Sequence, residues 1–230
     1  MELGTKAAGI GALADDTRRA LYEYVVAQPE PVGREQAASA LDIAQHNVNF
    51  HLDKLVAEGL LEVEYRRLSG RSGPGAGRPS KLYRRAAQEF AVSLPPRRYD
   101  LVGDILAAAV TRAADGVALP TAMSEVAREE GRALGDSAEG IAADAEPLAA
   151  VAQVLAIQGY EPRIDVDEVL LSNCPFDSLA RKHTELVCGL NHDFVQGVVD
   201  GLGYDGVRAC LEPGPDQCCV KARAEAGAPE

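Results

Sequence analysis

The 230-residue sequence predicts an α+β protein assembled in two parts, and three observations carry that expectation. Up to about residue 58 the apolar residues recur at helical spacing, and they then switch to the alternation of strands as far as Arg85. The adjacent prolines Pro95 and Pro96 break the chain. Beyond residue 160, short strand-like runs flank a helical stretch, the strands, helix, strands order of a small α+β domain. The expected organisation is an N-terminal module over 1–93, a linker and dimerisation helix within 94–120, and a C-terminal module over 121–230.

The first helix is expected over Leu13 to Val26, where Leu13, Ala14, Ala20, Leu21, Tyr24 and Val25 share a face and Asp15, Asp16 and Thr17 supply cap chemistry. Pro29 to Val32 ends it. Arg34 to Ala40 follows as a short helix with Ala37, Ala38 and Leu41 inward, and Leu41, Asp42 and Ile43 form a tight turn. A second helix runs from Ala44 to about Glu58, with Val48, Leu52, Leu55 and Val56 on its apolar face and Gly59 as its stop. Two short helices joined by a turn make a helix-turn-helix. Opposite the apolar face lie Gln45, His46, Asn47, Asn49 and Phe50. Amides and an imidazole hydrogen-bond base edges in a major groove, and a phenyl ring contacts a thymine methyl. The bland alternative is an ordinary polar helix face.

Leu60 to Arg67 and Lys81 to Arg85 read as antiparallel strands around Ser69 to Ser80, a segment with glycines at 70, 73, 75 and 77 and with Arg71 and Arg78. A glycine-rich hairpin tipped with arginine suits a wing that follows the DNA backbone or enters the minor groove. It lacks the Gly-Lys-Ser/Thr ending of a phosphate-binding P-loop and opens no helix.

Charge divides along the same boundary. The chain carries −12 overall, yet residues 1–98 hold 14 Lys and Arg against 12 Asp and Glu, so the deficit lies entirely in the remainder. Tyr65 to Arg98 alone contains nine basic residues and one acid, Glu89, the footprint that phosphate binding needs. No basic segment followed by an apolar run opens the chain, and no stretch approaches the roughly 20 apolar residues of a membrane span. The expected location is the cytoplasm, where thiols stay reduced.

The runs ALADDTRRALYEYV, LDIAQHNVNFHLDKLVAEGLLE and GRPSKLYR resemble the winged-helix repressors of the arsenic-repressor (ArsR) type, over about residues 10–87. That resemblance implies a winged helix-turn-helix homodimer bound to a pseudo-palindromic double-stranded DNA operator. By position it assigns His46, Asn47, Asn49 and Phe50 to the DNA-reading face, and Arg71, Arg78 and Lys81 to the wing. The cysteines that small metal-sensing members carry within the helix-turn-helix are missing, so sensing must lie elsewhere.

After the prolines, Tyr99 to Ala114 forms an alanine-rich amphipathic helix, a candidate for dimerisation or for core packing. Ala122 to Leu134 and Glu146 to Gln158 are further helices. Strands are expected over Arg163 to Asp165, Glu168 to Ser172, Val207 to Leu211 and Cys218 to Ala222. Pro175 to Leu202 is helical, with a break near Gly189.

All five cysteines, Cys174, Cys188, Cys210, Cys218 and Cys219, fall in this last quarter, with His183 and His192 among them. Such confinement reads as a thiol site for a metal or redox cluster, against the alternative of small buried hydrophobes. No Cys-x-x-Cys is present. The run LLSNCPFDSLARKHTELVCGLNHDFVQGVVDGLG followed by CCVKA looks like the C-terminal half of the SufR-type repressors. This resemblance implies a [4Fe-4S] cluster on Cys174, Cys188 and Cys219, in a regulator that is a repressor responding to iron-sulfur or redox status. The tandem Cys218-Cys219 makes the third ligand ambiguous. The hairpin around Cys210 and Cys218 is similar to the zinc-holding hairpin of 4-vinyl-reductase-like sensor domains. That likeness implies zinc on Cys174, Cys188 and one of Cys210 and Cys218, completed by His183, or a regulator with structural cysteines that responds to a small molecule. An enzyme using Cys188 with His183 or His192 is the remaining class, and lacks an evident acid partner or oxyanion element, so no enzymatic activity is expected.

Overall fold

The computed structural model describes residues 3–67, 79–138, 145–214 and 217–225. It is an α+β chain of two compact units, Met1–Val92 and Ser93–Glu230.

The first unit opens with a helix that periodicity did not reveal, α1 (Leu3–Ala12), which buries only Gly9 and Ala12. In α2 (Asp16–Ala27), Asp15 caps the N-terminus by accepting the Arg18 amide at 2.8 Å. A two-residue strand, β1 (Val32–Gly33), leads into α3 (Arg34–Leu41). Asp42 then adopts φ 53°, the left-handed conformation that ends a helix, and its amide returns to the Ala38 carbonyl. The next helix, α4 (Gln45–Ala57), stops at Gly59 with φ 75°. Strands β2 (Leu61–Arg66) and β3 (Ser80–Arg85) pair antiparallel from Leu61 opposite Arg85 to Arg66 opposite Ser80, and β1 adds to the other side of β3. Leu21, Val25, Val32, Ala37, Val48, Leu52, Leu55, Leu61 and Tyr83 form one closed core.

The second unit runs α5 (Tyr99–Ala114), α6 (Leu119–Asp136), α7 (Pro147–Ile157), β4 (Pro162–Asp165), β5 (Glu168–Leu171), α8 (Asp177–Ala180), α9 (Thr184–Gly201), β6 (Val207–Leu211) and β7 (Val220–Ala224). The sheet order is β4-β5-β7-β6, antiparallel throughout. Val102, Ile105 and Ala109 of α5 sit in the same core as Val126, Leu155, Val169, Phe194, Val198 and Val220, so the connecting helix is part of this unit's interior. Its outward positions Gly103, Ala107, Ala108 and Ala114 are small, beside an exposed Val110.

Two expectations need correction. Helix α9 passes through Gly189 without a break, because Val187, Leu190 and Phe194 on the flanking turns anchor it to the core; the interruption falls at Arg181–His183. The last strand begins at Val220, so Cys218 and Cys219 precede it.

Helices α6 and α9 meet at four glycines. A Cβ on Gly131 would lie 2.0 Å from the Phe194 carbonyl oxygen, and one on Gly135 2.5 Å from that of Val198. From the other side, a Cβ on Gly197 would meet the Arg128 oxygen at 2.1 Å and one on Gly201 the Arg132 oxygen at 2.2 Å. Only glycine permits this backbone-to-backbone approach. Arg128 and Arg132 of α6 both reach Asp200 of α9, at 2.7 and 3.2 Å, and hold the pair in register.

Candidate functional site

Four of the five cysteines come together in the second unit. Cys174 lies in the loop between β5 and α8, Cys188 on the buried side of α9, and Cys218 and Cys219 just before β7. The Cys218 amide bonds the Leu171 carbonyl at 2.8 Å, which fastens the tandem to the end of β5. The thiols neighbour one another in two interacting pairs, Cys174 with Cys218 and Cys188 with Cys219, and Cys188 also feels the charge of Cys174. Among the described residues, no three His, Cys, Asp or Glu side chains are gathered as ligands of a single metal ion.

A chain of donors points at Cys218. Buried Tyr160 donates its hydroxyl to Oδ1 of Asn191, which is 2 % exposed, and Asn191 Nδ2 donates to Cys218 Sγ at 3.3 Å. The neighbouring Cys218 thiol brings the Cys174 thiol down to about 7 against the upward push of burial, with help from the Phe176 amide and Arg97. Cys218, as the neighbour of Cys174 and as a buried thiol, is pushed far up. Burial pushes Cys188 up to about 12, helped by the neighbouring Cys219. With the thiols metal-free, the sign is fixed: a lowered value means Cys174 is thiolate above about pH 7 and loses that form as pH falls through it. Iodoacetamide labelling followed by peptide mass spectrometry should therefore show Cys174 modification rising through about pH 7, while Cys188 stays unlabelled. Equal rates at the two positions at neutral pH would contradict this arrangement.

The other metal candidates lie apart. Cys210 sits on the outer face of β6 with its thiol on the Arg208 carbonyl, beside Lys221 of β7. His183 lines a surface cavity of about 520 Å³ with Pro120, Met123 and Leu190. His192 is engaged by Asp193 and the Ala209 carbonyl, both at 3.2 Å, so its ring is turned to β6 although α9 continues unbroken from Cys188.

In the first unit, α4 presents Gln45, His46, Asn47 and Phe50 to solvent, Phe50 at 66 % exposure. No side chain caps this helix, so its first amides and the positive end of its dipole are open to an anion. Asn49 departs from the expected reading face: its Oδ1 is buried and unpartnered, because position 49 falls on the flank of the stripe made by Val48, Leu52 and Leu55. Beneath this face, Tyr83 hydroxyl ties three elements together. It donates to Asp53 of α4 at 2.8 Å and accepts Arg34 Nε of α3 at 2.9 Å, while Lys81 of β3 reaches the same Asp53 oxygen at 2.6 Å. Burial pushes the Asp53 carboxyl up, but the bonds from Lys81 and Tyr83 outweigh it and hold the group below the usual range.

Residues 13–64 match the family model described as a helix-turn-helix domain. This stretch is a helix-turn-helix domain. No curated protein matches the chain. The helix-turn-helix domain marks a DNA-binding regulator, and α4 is the second helix of that motif. Arg71 and Arg78, expected at the tip of the wing, lie outside the described residues. Of the basic stripe, Arg66 pairs with Glu30 and Glu64, Arg84 with Glu62 and Lys81 with Asp53. Arg97 and Arg98 belong to the second unit and are bonded there, so a run continuous in sequence serves two units. Sequence reasoning passed over Asn191, Tyr160 and Asp53. A polar residue inside an apolar helical stripe, as Asn191 is between Leu190 and Phe194, was the available signal for the first.

Among the described residues, no helix is long and apolar enough to cross a membrane.

Proposed function

We propose that the chain is a homodimeric transcriptional repressor of the cytoplasm that reads iron-sulfur or redox status through the thiols of its second unit. The carrying observation is the joint occurrence of a helix-turn-helix domain and two adjacent thiol pairs, Cys174 with Cys218 and Cys188 with Cys219, in one chain. Four thiols gathered in one region of the fold supply the thiolate ligands that iron-sulfur clusters take. When bound, a [4Fe-4S] cluster supplies a redox centre whose potential depends on charge, exposure and hydrogen bonds to its sulfurs.

The chain's own residues meet those conditions. Cys174, Cys188 and Cys219 are the ligands of this reading, and Cys218, the neighbour of Cys174, is the alternative to Cys219. Asn191, held by Tyr160, donates to the Cys218 sulfur and orients it. Arg97 offsets part of the negative charge that thiolates gather. Small outward residues of α5 and exposed Val110 support pairing of two copies through that helix.

Purification without oxygen tests the reading. About four irons and equivalent sulfide per chain, with a dimer by light scattering, is the expected outcome. An iron-free, colourless protein that binds DNA sinks the cluster. One zinc per chain in its place favours the rival zinc reading, and a metal-free preparation favours structural cysteines with a small-molecule effector.

A further inference from the structure

The stretch that opens the second unit, directly after the first ends at Val92, is fastened to the cysteine loop. Arg97 Nη1 donates to Asn173 Oδ1 at 2.5 Å and to the Cys174 carbonyl at 3.2 Å. The Asn173 side chain, from a residue 7 % exposed, donates both its amide hydrogens, to the Pro96 carbonyl at 3.1 Å and the Gly159 carbonyl at 2.6 Å. The Arg98 amide donates to the Pro175 carbonyl at 3.1 Å, and Tyr99 hydroxyl meets Ser178 Oγ at 2.6 Å. The Asn173 side chain and the carbonyls of Cys174 and Pro175 all hold the connector, and the sulfur of the middle residue belongs to the thiol site.

We propose that Asn173 and Arg97 are positioning residues of a latch, through which the state of the Cys174 sulfur sets whether the connector leading into the helix-turn-helix domain is held or released. This deepens the sensing reading above and rests on it for the identity of the signal. A ligand or adduct on Cys174 turns its side chain and shifts the backbone on both sides. The Asn173 amide, the Cys174 carbonyl and the Pro175 carbonyl move with it, and these are the connector's partners. Two states follow, latched and free, and any group that bonds Cys174 better in one of them shifts their populations. Asn173 suits the role because its carboxamide is both acceptor and double donor; an isosteric carboxylate keeps the first function and loses the second.

The test uses the full chain carrying Cys210→Ser, so that modification is confined to the clustered thiols, and N-ethylmaleimide as the probe. The thiol adds across the maleimide double bond and its proton passes to the neighbouring carbon, which leaves a bulky thioether. Hydrogen exchange at the Arg98 amide reports the latch, and affinity for a selected DNA site reports the sensing function. Alkylation should speed Arg98 exchange at least tenfold, and Cys174→Ser should abolish that response. Asn173→Asp and Arg97→Ala should exchange at the fast rate from the start and gain less than twofold on alkylation; Arg97, partly exposed, is the variant whose folding is least at risk. Arg98 exchange that ignores alkylation, or variants that still gain tenfold, overturns the latch. If exchange responds while DNA affinity stays within twofold, the latch stands and the sensing reading fails. If affinity responds and exchange does not, sensing stands and the latch is overturned.

Discussion

Gly197→Ala should cost the second unit about 3 kcal/mol or more, at the upper end of overpacking penalties, because the new methyl would stand 2.1 Å from a backbone oxygen. The neighbour cannot step aside as a flexible side chain would: it is the Arg128 carbonyl, fixed within α6. Relief requires α6 and α9 to separate along their whole contact, which opens the core around Val126, Phe194 and Val198. A drop in melting temperature of roughly 10 °C, read by calorimetry, is the expected size. Gly189→Ala in the same helix supplies the contrast, since a Cβ there meets nothing within 4 Å. That variant should be neutral or gain up to about 1 kcal/mol from helix propensity. If Gly197→Ala melts as the wild type does, the close approach of the two helices is wrong.

Leu52→Ala should remove about 2–5 kcal/mol from the first unit, by lost burial and the cavity left behind. Leu52 is fully buried on α4, among Leu21, Val48, Leu55 and Tyr83. Loss on that scale is a large part of the 5–15 kcal/mol typical of a domain. DNA binding should therefore fail at temperatures where the wild type still binds, because α4 is at once part of the core and the second helix of the helix-turn-helix. Full DNA affinity at the wild-type midpoint, measured by fluorescence anisotropy, would show that α4 does not depend on this core.

The helix-turn-helix was legible because local chemistry and packing agree there. Asp15 caps, the Asp42 turn and Gly59 stop fall where the apolar stripe of Val48, Leu52 and Leu55 requires them. The bounds of α5, Tyr99–Ala114, could be read for the same reason. Helix α1 escaped because its ten residues bury only Gly9 and Ala12, too little to make a stripe. Glycine misled in the second unit. Gly189 looks like a breaker, yet a single helical glycine costs only about 1 kcal/mol and the buried turns beside it outweigh that. Gly131, Gly135, Gly197 and Gly201 were silent, since their role depends on a helix some sixty residues away in sequence. Among the thiols, confinement to one quarter of the chain pointed to a site, but membership needed the fold. Only the strand alternation of β6 separates Cys210 from the other four, and only the position of β7 brings Cys218 against Cys174.

By joining α3, α4 and β3 through Arg34, Asp53 and Lys81, the hydroxyl of Tyr83 makes the second helix of the motif and the root of the hairpin a single stiff template. Were that template to dock on a duplex, it would not reshape itself to each sequence it met, and the bending would fall to the DNA. The mechanical softness of individual base steps, at positions no side chain touches, would then count in what such a regulator distinguishes.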